Sequence, residues 1–169
     1  MPPTDDVRAG QALKPCRHRS PDPLALRAAT ASLALREGQV RKARRELLQL
    51  LAAPEPRAWR FALVALAGGR DPETVAKVLG ELVDAGAIPD ELQAWQEFGR
   101  LSLRLDAPQV AARIVDQMVR RFPGEPRVAV LRAGQLHQAG QAEQARALLA
   151  GVEPRAADDP EVRGMLAAA

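Results

Sequence analysis

The chain contains no tyrosine and no asparagine, and only 3% of its residues are aromatic. It has one cysteine, Cys16, and two histidines, His18 and His137. Each scarcity excludes something. A single thiol makes neither an internal disulfide nor a cysteine-based zinc site, so the fold does not rest on oxidation. Cys16 and His18 stand two apart near the N-terminus, without the packed base or additional ligands that catalysis or metal binding requires. His137 is the lone histidine further along and reads as a surface or groove residue. The serines, Ser20, Ser32 and Ser102, sit in no G-x-S-x-G context. Gly68-Gly69 is followed by Arg70-Asp71 rather than the Lys-Ser/Thr of a phosphate loop. The acidic pairs Asp5-Asp6 and Asp158-Asp159 lie at the chain ends, where capping or solubility accounts for them. No catalytic residue, metal ligand or cofactor is expected, and the chain reads as a non-enzyme.

Long apolar runs are also missing. The longest, residues 61–67, is far too short to span a bilayer. No apolar stretch follows a basic start, so no signal peptide is recognisable. A cytoplasmic protein without membrane insertion is expected. The net charge of +3 permits nucleic-acid binding, but such binding needs a basic stripe. Arg41, Lys42, Arg44 and Arg45 come closest. On a helix they wrap the face opposite Ala43 and Leu47 and read as a solvated convex surface.

What remains is dominated by Ala, Leu, Arg and Gln, all strong helix formers. An all-α fold follows. Residues 1–21, with Pro2, Pro3, Pro15 and Pro21, show no helical periodicity and read as a flexible Pro/Arg-rich leader. From Asp22 the pattern changes. Asp22-Pro23 predicts a helix start, a capping carboxylate followed by a proline whose missing N–H costs nothing at the first position. Asp71-Pro72 and Asp159-Pro160 repeat the device. Arg36-Glu37-Gly38-Gln39 and Gln138-Ala139-Gly140-Gln141 each read as helix stop, turn and restart, with glycine supplying the positive φ.

These features recur. A compact residue falls at Ala31, Val64, Gly99 and Ala133. A turn residue falls at Gly38, Asp71, Asp106 and Gly140, and an alanine at Ala43, Ala76, Ala111 and Ala145. Each series advances by 33, 35 and 34 residues. Pro54, Pro89, Pro123 and Pro154 follow the second helix of each unit. A small residue in one helix and alanine in the next allow close approach. Leu47, Val115 and Leu149, one turn further on, pack onto the neighbouring unit. No unit buries its apolar face alone, so stacking must complete the core. The second unit is the least regular, with Val64 at the compact position and Gly80 where a bulky residue belongs.

This helix–turn–helix period resembles the tetratricopeptide repeat, most closely through Trp95, Phe98, Gly99, Asp106, Ala111 and Pro123. The resemblance implies an α-solenoid of about four repeats, wound as a right-handed superhelix. The repeats would span about 22–54, 55–89, 90–125 and 126–157, with residues 158–169 as a short capping helix. It also implies a scaffold or adaptor that holds a protein or peptide in a concave groove lined by the first helix of each unit. The first unit would contribute Ala25, Ala28, Ser32 and Leu35, and the second Ala58, Phe61 and Ala65. The third would contribute Gln93, Gln96, Arg100, Leu103 and Arg104, and the fourth Arg127, Val130, Gly134, His137 and Gln138. The first half would be an apolar floor around Phe61 and the second a basic, amide-rich one. A partner with an acidic segment would complement it, with Arg100 and Arg104 gripping a carboxylate together or pairing with Glu97 and Asp106.

Two other readings are weighed beside this one. Tetratricopeptide domains that clamp the C-terminal carboxylate of heat-shock chaperones use Lys and Asn. Here Ala28 and Ser32 stand at the matching places, so no such clamp is expected. Residues 85–90, Ala-Gly-Ala-Ile-Pro-Asp, resemble the linker of pentatricopeptide repeats, which bind single-stranded RNA one base per repeat. The segment occurs once, and the asparagine often used in base reading is absent.

Overall fold

A computed structural model describes residues 22–156 and Pro160. The leader at 1–21 lies outside the described residues, as does the capping segment at 158–169 apart from Pro160. Among the described residues there are eight helices and no strand. They are α1 (Pro23–Arg36), α2 (Val40–Leu51), α3 (Ala58–Ala67), α4 (Pro72–Asp84), α5 (Leu92–Arg104), α6 (Pro108–Arg121), α7 (Pro126–Gln138) and α8 (Ala142–Ala156).

Local chemistry sets their starts. Pro23, Pro72, Pro108 and Pro126 open four of them. The Asp22 carboxylate accepts the Leu24 N–H at 2.9 Å. Asp71 accepts the N–H of Thr74 at 3.0 Å and also takes the Thr74 hydroxyl. These bonds hold the Asp71 carboxyl below the usual carboxylate range, the Thr74 hydroxyl contributing most.

The helices form two layers. α1, α3, α5 and α7 pack in succession, and α2, α4 and α6 pack in succession beside them. Each second helix folds back on its first, as α2 does on α1 and α8 on α7. One apolar core runs through the stack from Ala28 to Leu131. Leu47, Leu79, Trp95, Phe98, Ile114 and Met118 are all fully buried in it. Trp59 tilts against Phe98 with ring centroids 6.5 Å apart and carries the core from the second unit into the third.

Three of the four intra-unit turns are alike. In each, three residues separate the helices and the middle one takes a positive φ: Gly38 at 70°, Asp106 at 51° and Gly140 at 75°. In each, the following N–H reaches back five residues: Gln39 to Ala34, Ala107 to Ser102 and Gln141 to Leu136. This is the Schellman arrangement that satisfies the last carbonyls of a helix. The second unit differs. Its turn, residues 68–71, is one residue longer and passes through Gly68 and Gly69, and Asp71 caps α4 instead of taking a positive φ.

That longer turn corrects the even spacing predicted for the second unit. Counting from the helix ends, the counterpart of Ala31, Gly99 and Ala133 is Ala62, fully buried, whereas Val64 is 68% exposed. The counterpart of Ala43, Ala111 and Ala145 is Val75, 1% exposed, rather than Ala76. The bulky position belongs to Leu79, fully buried, and not to Gly80. The register slips because α3 ends early and Gly68-Gly69 lengthens the turn. A Cβ on Gly69 would stand 2.3 Å from Val75 Cγ2, so glycine is needed where the turn crosses that valine. Valine in place of alanine also keeps the helices apart, and α3 and α4 touch less than the other three pairs. A second correction concerns Pro154. It lies within α8, which continues to Ala156, instead of following the helix.

Residues 85–90 end α4 by the same turn chemistry. Gly86 takes φ 63°, the Ala87 N–H donates to the Leu82 carbonyl, and Ile88 is buried in the core. The basic run on α2 is exposed, and two of its arginines meet acids: Arg44 with Glu81 at 3.4 Å and Arg45 with Glu46 at 3.5 Å.

Candidate partner-binding groove

α5 and α7 run side by side, and α8 folds back along α7. Between the three lies a groove of about 490 Å³. On α5, Gln96, Arg100 and Leu103 follow at helical intervals of four and three, so one face presents all three. On α7, Arg127, Val130, Gly134 and His137 share a face for the same reason, with Gln138 beside them. Ala142, Ala145, Arg146 and Leu149 close the third side from α8.

The floor is apolar. Leu103, Val130, Leu131, Gly134, Ala145 and Leu149 all contribute to it. Gly134 keeps it open, because a Cβ there would stand 3.0 Å from Leu103 Cδ1. The rim is basic and amide-rich. It holds Arg100, Arg127, Arg146, His137, Gln138 and, buried at its base, Gln96. Among the described lining residues there is no carboxylate. The acids that meet the rim arginines stand outside the lining. Arg100 Nη1 donates to Glu97 Oε1 at 2.7 Å, Arg127 Nε lies 4.0 Å from Glu125 Oε1, and Arg146 pairs with Glu143. Gln138 Nε2 donates to the Leu103 carbonyl at 2.6 Å and ties the ends of α7 and α5 together across the groove.

Five of the eight predicted groove residues are thus brought together: Gln96, Arg100, Arg127, His137 and Gln138. The other three are not. Phe61 packs against the core from α3. Gln93 is exposed near α3 and accepts a hydrogen bond from Arg60 Nη2 at 3.3 Å. Arg104 is exposed in the last turn of α5 and does not line the groove. Of the two arginines expected to act together, Arg100 lines the groove and Arg104 does not.

Of the apolar floor predicted for the first two units, Ala25 is exposed and Ser32 and Phe61 are half-buried, while the other four residues are closed off. Ala28, Leu35, Ala58 and Ala65 are buried in the core. The register slip accounts for Ala58 and Ala65, and the cover of α2 and α3 accounts for Ala28 and Leu35.

Sequence reasoning missed the α8 residues because it confined the groove to first helices. One signal pointed to them. Leu149 ends the series Leu47, Leu79, Val115, whose earlier members are buried. Leu149 is only half-buried and lines the groove instead.

The family model for the tetratricopeptide repeat matches residues 79–169, more than half of the chain. The chain belongs to the tetratricopeptide repeat family. Neither a curated protein nor a solved structure matches it. The tetratricopeptide match begins beyond the irregular turn at residues 68–71 and covers the whole groove. Tetratricopeptide repeats are helical scaffolds that generally mediate protein–protein interaction. No helix among the described residues is long and apolar enough to cross a membrane.

Proposed function

We propose that this tetratricopeptide protein is a cytoplasmic, non-enzymatic scaffold that holds a short segment of a partner protein between α5, α7 and α8. The bound segment carries an apolar side chain flanked by Asp or Glu. The observation that supports this is the lining itself: an apolar floor opened by Gly134, ringed by three arginines, with no carboxylate among the described lining residues. The volume of about 490 Å³ falls within the range of small ligand sites and suits one anchoring side chain and its neighbours.

The rim arginines already meet Glu97, Glu125 and Glu143. Three arginines in a lining with no carboxylate among its described residues favour an acidic segment.

The test is capture of partners by the immobilised chain from its native lysate, with Arg100→Glu/Arg127→Glu as the control and mass spectrometry as readout. Unchanged helicity with at least about a tenfold loss of the captured protein, 1.4 kcal/mol, is expected. The same proteins from both baits would remove the groove from the proposal. Recovery of RNA with a steep salt dependence would replace the protein partner with a nucleic acid.

A further inference from the structure

We infer that a second copy of this chain docks on α1 to form a symmetric antiparallel dimer. The inference is independent of the groove, since none of the residues involved lines it.

α1 is apolar on two opposite faces. Ala28, Ala31, Ala34 and Leu35 face the core. Leu26, Ala29 and Leu33 face away from it, with Leu26 58% exposed and Leu33 53% exposed. A helix apolar on opposite faces would bury both in an interior, and among the described residues nothing covers the outer one. The third unit shows what such positions do when covered. Ala94 and Leu101 occupy on α5 the places of Leu26 and Leu33, and both are buried. Val64, at the place of Leu33 on α3, is also exposed. Arg36 Nε donates to the Gly68 carbonyl at 3.1 Å and ties the ends of the two helices together.

The pattern of the stripe selects the occupant. Asp22, Leu26, Ala29, Leu33 and Arg36 follow at intervals of four, three, four and three, the spacing of a helix-pairing seam. Antiparallel to itself, the stripe is complementary. Leu26 meets Leu33 of the other copy, Asp22 meets Arg36 at both ends, and Ala29 lies on the two-fold axis where a small side chain allows close approach. A parallel pair would set Asp22 against Asp22. Only one Asp22 oxygen serves the Leu24 cap, and Arg36 has two terminal nitrogens beyond the one on Gly68. The helix has 14 residues, so the seam is about 21 Å long and places the contact in the small, dissociable class.

Sedimentation equilibrium on the full chain should give a mass that rises with concentration from 18.2 kDa to twice that value and stops there. Leu33→Lys should hold it at the monomer with an unchanged helical spectrum. Asp22→Arg or Arg36→Asp alone should weaken the dimer at least tenfold. The double exchange should restore it, although Asp22→Arg also removes a helix cap. In a Cys16→Ser background, Ala29→Cys should oxidise to a cross-linked dimer. A monomer at every concentration would overturn the inference. So would a dimer indifferent to Leu33→Lys, or growth beyond two copies.

Discussion

Single side chains decide how closely the helices approach. Alanine or glycine stands at each helix crossing except that of α4, where Val75 does, and Ala31, Ala43, Gly99 and Ala111 are all buried. A Cβ on Gly99 would stand 2.3 Å from Leu131 Cδ2, so the third and fourth units meet with no room for a methyl group. These positions were legible in the sequence because three units share one turn geometry. In the second unit, even spacing pointed to Val64 and Gly80, and the structure assigns their roles to Ala62 and Leu79. Thermal or urea unfolding separates the two registers. Leu79→Ala should cost about 2–5 kcal/mol, as expected for a fully buried leucine. Val64→Ala, at a side chain 68% exposed, should change stability by no more than about 0.5 kcal/mol. Equal losses from both would restore the even register.

The helices carry signals at their ends that the sequence displays openly. Asp22-Pro23 and Asp71-Pro72 start α1 and α4 as their chemistry predicts. Gly38 and Gly140 supply the positive φ of the tight turns, and Asp106 supplies it in the third unit. What could not be read was the length of the turn after α3, because Gly-Gly fits a three- or a four-residue connection equally well. The packing of Val75 against Gly69 fixes it, and that contact is tertiary. Asp71 offers a pH test of the capping that starts α4. Its carboxyl lies below the ordinary range, held there first by the Thr74 hydroxyl and then by the Thr74 N–H. A lowered folded value means the stabilisation is full above the unfolded value of about 3.9 and fades as the pH falls through the folded one. The melting temperature of Asp71→Ala should therefore lie below that of the parent chain at neutral pH. The gap should close in acid below the folded value. A gap that persists there would show that the carboxylate charge is not what stabilises the start of α4.

Among the described residues the groove lies near one end of the stack and the exposed apolar face of α1 at the other. Most of the fold was legible, because a stacked array repeats its local rules and three of four units obey them. Five of the eight predicted groove residues meet in one place because α5 and α7 are regular units whose positions transfer by counting. Phe61 packs against the core from the unit that slips in register, and Arg104 stands outside the groove lining. The contribution of α8 was invisible to a rule about first helices. It arises because Leu149, unlike Leu47, Leu79 and Val115, is left only half-buried. The most direct test of the scaffold reading is selection from a random peptide display library on the full chain, repeated on Gly134→Leu, whose side chain would fill the groove above Leu103. The account predicts peptides with one large apolar residue beside Asp or Glu, enriched on the parent chain and lost on Gly134→Leu, with the two proteins melting alike. Enrichment that survives Gly134→Leu, or no acidic bias among the selected peptides, would contradict it.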